Sequence, residues 1–318
     1  MPRAGVLINP NSGRGNGKGT GLAEKLAGAD TITLRVLDDF TRLTPYLFEM
    51  AKDGVTDLFI SSGDGTIQAI LTLIAERPIF KTQPRICLLP HGTTNLTSID
   101  LGSKLRDVSA QVAFITGRNF QKIVTRPTLR ISNVADGAVR HGMTMGLGAA
   151  THGTRHAQQA FNDKGVHGSI AALRTLGSAV AKTVFTRANP DDHTRLDRAS
   201  PMTVRNNGAT LCEGPQLMLV ATTLEKMFFN ANPFWGESGG HIRVSVFPHP
   251  VPNLARWLWP ILYGGKNRKV PKGALSFSTD SFEVETTSSI VLDGEFFEPP
   301  VSGALKIETG QQFQFICG

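Results

Sequence analysis

Three short glycine-bearing loops and one late pair of carboxylates hold the residue types that can do chemistry in this chain of 318 residues. The first loop, Asn9-Pro10-Asn11-Ser12-Gly13, opens the stretch NPNSGRGNGKG. The second is Ser62-Gly63-Asp64-Gly65-Thr66, and the third is Pro90-His91-Gly92-Thr93-Thr94-Asn95. Glycine lets a backbone take positive φ and come close to a phosphate. Backbone N–H groups in such a loop, or at a helix N-terminus, can cradle an anion. NPNSGRGNGKG fits neither the P-loop spacing nor Gly-x-Gly-x-x-Gly, so alone it reads as an anion loop or as a linker. In the second loop Thr66 is placed to cap a helix starting near Ile67. Asp64 is an acceptor among groups suited to anions, which makes sense beside a Mg²⁺ or a ribose; as plain Asp-Gly turn chemistry it needs no ligand. Asp293 and Glu295, in VLDGEFFEP, would share one face of an extended strand. Two close carboxylates raise the pKa of one or share a cation. The alternative is an Asp-Gly hairpin turn with an exposed Glu.

The elements that must position these residues alternate in the first 120 residues or so. Strands are predicted at Gly5–Asn9, Thr31–Leu37, Asp57–Ser61 and Arg85–Leu89. Helices are predicted at Gly19–Ala27, Pro45–Lys52, Ile67–Glu76 and Val108–Thr116. Strand–loop–helix units at this spacing argue for a parallel, doubly wound sheet, in which ligands bind beyond the carboxyl ends of the strands. All three glycine loops fall at such ends. From about Leu129 the texture is β: Leu129–Ser132, Gly142–Gly146, Gln216–Thr222, Ile242–Phe247, Ala274–Phe277, Phe282–Thr286, Ser289–Leu292, Ala304–Glu308 and Gln312–Ile316. These short, often alternating segments predict an antiparallel sandwich or barrel-like domain, interrupted by a helical stretch at His152–Arg187. The boundary is expected near Arg126-Pro127.

Taken together, NPNSG, SGDGT, GTTN and LDGE, in this order and spacing, resemble the bacterial diacylglycerol and lipid kinases, whose catalytic domain is shared with sphingosine and ceramide kinases. The resemblance covers essentially the whole chain. It implies an α/β nucleotide-binding domain of NAD-kinase type (1–125, with about 306–318 returning to it), a β-sandwich lipid-substrate domain (126–305), and an active site in the cleft between them. It further implies ATP and Mg²⁺ as cofactors. By motif, Asn9, Pro10, Asn11, Ser12 and Gly13 would contact nucleotide phosphates, as would Gly63, Asp64, Gly65, Thr66 and on to Ala69. Gly92, Thr93 and Asn95 would join them. Thr41 is a weaker match to a threonine that touches the nucleotide. Glu295 falls at the position of the proton acceptor, with Asp293 beside it, and Asp64 and Asp293 are the metal-ligand candidates.

The chain departs from the family pattern in several places. Ser62 replaces a glycine, Leu96 follows Asn95 where an Asp is common, and Thr125-Arg126 stands where another Asp is usual. The loop Glu237-Ser-Gly-Gly-His-Ile-Arg243 lacks the aspartates that hold a second Mg²⁺ in some bacterial members, so no second metal is expected. Weak activity, or a nucleotide-binding regulator that has lost catalysis, is one alternative; an NAD-kinase-like phosphotransferase on a soluble substrate is another.

The net charge of +7 is placed unevenly. No acid lies between Glu237 and Asp280, while Arg243, Arg256, Lys266, Arg268, Lys269 and Lys272 do. Within 253–272, Trp257, Trp259 and Tyr263 suit a membrane interface, and Lys266, Arg268 and Lys269 suit anionic headgroups. A core helix followed by a basic loop is the plainer reading. The partners expected are a membrane lipid substrate and, transiently, an anionic membrane surface. Nucleic acid is not expected, because no recognition module accompanies the basic residues; a homodimer is compatible with the sequence. His152 and His156 have helical metal spacing but no evident third ligand. The longest apolar run, Trp257–Tyr263, is far short of the roughly 20 residues needed to span a bilayer. Cys87, Cys212 and Cys317 are odd in number and widely spaced, which fits a reducing cytoplasm rather than a disulfide framework. The expected location is cytoplasmic with peripheral membrane association.

Overall fold

The computed structural model describes residues 3–14, 17–92, 95–105, 107–118, 120, 122–164, 195, 197–227, 230–237 and 239–318. They form two compact units, 1–128 with 310–318, and 129–309.

The first unit is built on four parallel strands, β1 (Arg3–Ile8), β2 (Ile32–Val36), β3 (Val55–Ser62) and β4 (Arg85–Pro90), in the order β2-β1-β3-β4. Val6 stands opposite Leu34 on one side and Phe59 on the other, and Phe59 opposite Cys87. Near-continuous apolar runs such as Leu58-Phe59-Ile60 suit strands covered on both faces. Helices α1 (Lys18–Leu26), α2 (Leu43–Lys52), α3 (Asp64–Glu76), α4 (Leu96–Leu101) and α5 (Val108–Gly117) connect them. Leu22, Leu26 and Ile115 from α1 and α5 pack on Val6, Phe59, Cys87 and Leu89 of the strands. Asp57, on the amino-terminal part of β3 and away from the loops, is fully buried and paired with both Arg85 and Arg118.

The helix expected from Ile67 begins three residues earlier. Gly63 is its extended N-cap (φ −89°, ψ 171°), and the Ile67 amide donates to Gly63 O at 3.1 Å. Thr66 therefore lies inside the first turn and does not cap it.

The second unit is antiparallel and rich in strands. Its elements are β5 (Lys122–Ser132, which starts in the first unit), β6 (Arg140–Gly142), β7 (Thr144–Gly148), α6 (Ala149–Lys164), β8 (Ser200–Asn206), β9 (Ala209–Thr222), β10 (Ile242–Pro248), α7 (Leu254–Tyr263), β11 (Leu275–Thr279), β12 (Ser281–Thr286), β13 (Ile290–Leu292), β14 (Glu295–Phe297) and the first part of β15 (Leu305–Cys317). The segments predicted as Ala304–Glu308 and Gln312–Ile316 are this one strand. The remainder of the helix predicted at His152–Arg187, beyond Lys164, lies outside the described residues. β9 pairs with β7, β8 and β10, and β12 with β8 and β15. Leu129, Ile131, Met145, Leu147, Val204, Leu219, Val244, Val284, Leu292 and Ile307 meet in the unit's main core. Among the described residues no helix is long and apolar enough to cross a membrane.

Candidate active site

In the first unit all three glycine loops leave the carboxyl ends of β1, β3 and β4, and they are tied to one another by their own side chains. The Asn9 amide donates to Ser61 O at 2.9 Å, and Asn9 Nδ2 donates to Thr66 Oγ1 at 2.9 Å. Within the first loop, Asn11 N donates to Asn9 Oδ1 at 3.0 Å, closing the turn around Pro10, and Gly13 takes positive φ (58°). Ser12 Oγ lies 3.0 Å from Ser62 Oγ and accepts from Gly63 N at 3.1 Å. Ser62, fully buried, thus uses the hydroxyl that replaces the family's glycine to dock the first loop.

The second and third loops meet backbone to backbone. A Cβ on Gly92 would stand 2.6 Å from the Gly63 Cα and 3.1 Å from Asn95 Oδ1. Asn95, in the left-handed region at φ 52°, folds its loop by accepting from Gly92 N at 3.0 Å and donating to Gly92 O at 2.7 Å. Its amide donates to Asp64 Oδ2 at 3.2 Å. Asp64 is the first residue of α3, where the helix N-terminus favours a carboxylate. Gly65 follows it into the helix. Asn9, Ser12, Gly63, Asp64, Thr66, Gly92 and Asn95 are thereby brought into one hydrogen-bonded set.

Among the residues expected at the nucleotide, Thr41 does not join that set. Thr41 sits in an exposed turn where it serves Asp39: the Thr41 amide donates to Asp39 Oδ1 at 2.9 Å, and hydrogen bonds from its side chain and amide hold the Asp39 carboxyl below the usual range. Thr93 lies outside the described residues.

His91, which has no role in the sequence reading, anchors the third loop. It is buried, with Nδ1 2.6 Å from Ser61 Oγ and Nε2 2.9 Å from Gln111 Nε2. Gln111 Nε2 also donates to Leu105 O at 2.8 Å. A side-chain amide nitrogen has only hydrogens to offer, so His91 Nε2 accepts and Nδ1 carries the proton toward Ser61. Burial, then the nearby Lys18 charge, lower the His91 pKa to about 4. The imidazole is therefore neutral near neutral pH. A polar ring following a strand of Ile-Cys-Leu-Leu-Pro was the available signal, but its partner is 20 residues away on α5.

The departures from the family pattern also have a local structure. Leu96 opens α4, and the acid on that helix is Asp100, whose buried carboxylate takes Arg126 Nε at 3.1 Å. Arg126 is therefore paired with a carboxylate from α4. In the second unit the Gly-rich loop before β10 runs against β11: a Cβ on Gly240 would stand 2.1 Å from the Thr279 carbonyl carbon. The loop ends on His241, whose amide and Nδ1 lie 3.0 and 2.8 Å from Asp280 Oδ1.

Asp293 and Glu295 do not share one extended strand: Asp293 lies in a turn and Glu295 opens β14. Leu292 pairs with Glu295 across a two-residue loop in which Asp293 and Gly294 both have positive φ, 48° and 91°, the signature of a type I′ hairpin. The shared-face expectation fails because the turn, rather than strand alternation, sets their directions. Asp293 Oδ2 and Oδ1 accept from Met143 N and Thr144 N, each at 2.8 Å, and its own amide donates to Thr144 O at 2.9 Å. Gln158 Nε2 donates to Gly294 O at 2.8 Å, and the Arg155 guanidinium lies 5.1 Å from the Phe296 ring centroid. Asp293 is thus the latch of the hairpin, and Glu295 is exposed at its end.

The loops fit a nucleotide phosphate chain: bare glycine backbone at Gly63 and Gly92, the N-terminus of α3, and Lys18 at the start of α1. For Mg²⁺ the fit in this unit rests on Asp64. No cluster of three or more ligating side chains occurs among the described residues.

The chain thus comprises a parallel α/β unit, with three interlocked glycine loops at its strand ends, and an antiparallel unit. Residues 3–125 match the family model of the diacylglycerol kinase catalytic domain. The crystal structure of a diacylglycerol kinase from Bacillus anthracis str. Sterne is similar in fold at TM-score 0.65 and 17% identity, covering 99% of this chain and 97% of that one. Two further solved structures from the same source are similar at TM-score 0.64, with 17% and 16% identity and the same coverage. No curated protein matches the chain.

Proposed function

We propose that the chain is an ATP- and Mg²⁺-dependent lipid kinase that phosphorylates a hydroxyl of a diacylglycerol-like membrane lipid. The observation that carries this reading is the interlocked loop set, Asn9 to Thr66, Ser12 to Gly63 and Asp64 to Asn95, within the segment that matches the diacylglycerol kinase catalytic domain. In the proposed reaction, Gly63, Gly92 and the first turn of α3 bind the β- and γ-phosphates and hold them in line. The lipid hydroxyl gives its proton to the Glu295 carboxylate. Its oxygen forms a bond to the γ-phosphorus while the bond from that phosphorus to the bridging oxygen breaks, releasing ADP. Mg²⁺ bound through Asp64 would neutralise phosphate charge, which together with positioning supplies most of such catalysis. Asp293 keeps the hairpin shape and so positions Glu295.

The test is label transfer from γ-labelled ATP to a lipid panel that also contains NAD as a soluble acceptor. Label in a glycerolipid is expected. Glu295→Gln should lower kcat by about 10² to 10⁴ while leaving ATP affinity unchanged. Label in NAD alone would move the chain to the soluble-substrate reading. The weakened-regulator reading is motivated by Leu96 and by the Asp100–Arg126 pair. ATP binding lost in Asp64→Asn, with no transfer to any acceptor, would favour it.

A further inference from the structure

We propose that the outer face of α7 and the lysines behind it form a docking surface for the interfacial layer of an anionic lipid bilayer. This deepens the lipid-kinase reading, yet it stands on residues that the loops and the hairpin do not use.

α7 has two faces of different character. On the inner one, Leu254, Trp257, Ile261 and Leu262 pack with Leu217, Trp235 and Phe247. Trp257 is consumed there, its indole N–H donating to Pro252 O at 3.2 Å. On the outer one, Arg256, Trp259 and Tyr263 follow helical spacing and are exposed. Trp259 is 72% and Tyr263 41% exposed, with ring centroids 4.7 Å apart. Two large rings with polar edges are thus left in water, tilted against each other at 40°.

The charges sort just as clearly. Arg268 was expected to meet headgroups, but its guanidinium donates to the carbonyls of Gly265, Asn232, Ile261 and Phe234 and closes the end of α7. Arg243 is likewise used inward, on Leu224 O and over the Phe234 ring. Exposed Lys266, Lys269 and Lys272 remain, at three-residue spacing, and Arg256 on α7 is exposed as well, its guanidinium 5.5 Å from the Trp257 ring centroid. No acid occurs between Glu237 and Asp280 to balance them.

A second copy of the chain is a poor occupant. A two-fold contact would set lysines against lysines with no acid in the segment to answer them. One Trp–Tyr pair is also far smaller than the roughly 800 Å² per partner of a stable interface. A bilayer of anionic lipid answers both halves: the rings seat at headgroup level, and the lysines enter the negative surface potential. α7, with 10 residues, lies in the interface rather than across it.

The test is co-sedimentation of the full chain with vesicles of phosphatidylcholine, alone or mixed with phosphatidylserine, in the absence of nucleotide. Partition into the mixed vesicles alone is expected, weakening as salt rises. Each lysine should contribute about fivefold, so Lys266→Gln, Lys269→Gln and Lys272→Gln together should lower partition by about a hundredfold. Wild-type tryptophan emission should shift to the blue on the mixed vesicles, and Trp259→Phe should lose most of that shift. Equal partition into neutral vesicles, unchanged partition of the triple variant, or no partition at all would overturn the proposal. So would self-association abolished by Trp259→Ala. Partition is read without turnover, so a chain that docks but transfers no phosphate refutes the proposed activity alone. A chain that phosphorylates a short-chain soluble acylglycerol but never docks refutes only the surface.

Discussion

The dipeptide Asp-Gly occurs at both candidate chemical positions of this molecule and does opposite things. Asp64-Gly65 enters a helix in the right-handed conformation, so the Asp64 side chain stands at a helix N-terminus and reaches the third loop. Asp293-Gly294 takes positive φ at both residues and turns a hairpin, so the Asp293 carboxylate folds back on the Met143 and Thr144 amides. The neighbours decide. Ile67, Ile70 and Leu71 bring an apolar stripe at helical spacing after Asp64, whereas Ile290-Val-Leu292 and Glu295-Phe-Phe297 flank Asp293 with paired strand segments. The consequence is a division of labour. In the first unit glycines let two loops touch by what they lack, and in the second a carboxylate holds the shape of the hairpin that carries Glu295.

That contrast is broken most sharply at Gly92. Gly92→Ala adds a methyl against the Gly63 backbone, so ATP binding should weaken by at least about a hundredfold, roughly 3 kcal/mol. Calorimetric titration that finds wild-type affinity would mean the two loops need not touch.

Next in size is the pH response of the ring under those loops. In the unfolded chain His91 titrates near its ordinary 6.5, and in the folded one near about 4. The unfolded state therefore binds more protons between these values. Stability from this group is complete above 6.5 and is lost as pH falls toward 4, by about 3 kcal/mol in all. Thermal melts across that window should show the loss in the native chain, and His91→Gln should show less of it. Identical slopes would leave the neutral imidazole without consequence.

In the second unit, Asp293→Asn keeps only one acceptor oxygen for two amides, one of which is left unpaired at a cost of about 1 to 3 kcal/mol. A lower melting temperature is expected together with a fall in kcat and little change in ATP affinity. A variant of full activity would free Glu295 from its hairpin. The smallest effect belongs to Gly294→Ala. Nothing lies within 4 Å of the added methyl, so only the strain of positive φ remains, about 1 kcal/mol. Against Gly92→Ala this separates a glycine needed for space from one needed for conformation.

How far these features were legible follows from which interactions are local. Apolar runs such as Val6-Leu-Ile8 and Leu58-Phe-Ile60 announced the parallel strands, and the three loops after them announced the candidate site. The start of α3 was misplaced by three residues because Gly63 serves as N-cap with no side chain of its own; the stop came from the Gly63–Gly92 contact, which sequence does not display. β8 was hidden because Ser200-Pro-Met-Thr-Val-Arg-Asn206 carries a proline, tolerated where Pro201 faces Pro215. The His91–Gln111 and Asp100–Arg126 pairs join residues 20 and 26 apart, and no periodicity encodes such partners.

One strand sets the order in which the chain can be finished. Residues 310–318 belong to the unit that begins at the other end of the sequence. Phe315 pairs beside Ile86, Phe313 and Phe315 are fully buried, and the Lys104 amide bonds to Gly318 O at 2.8 Å. During synthesis the β4 edge must therefore wait, unpaired, while about 220 further residues leave the ribosome at some 5–20 per second. An open strand edge over that interval is an invitation to intermolecular pairing. The sheet of the first unit is thus completed late, and only in chains translated through β15.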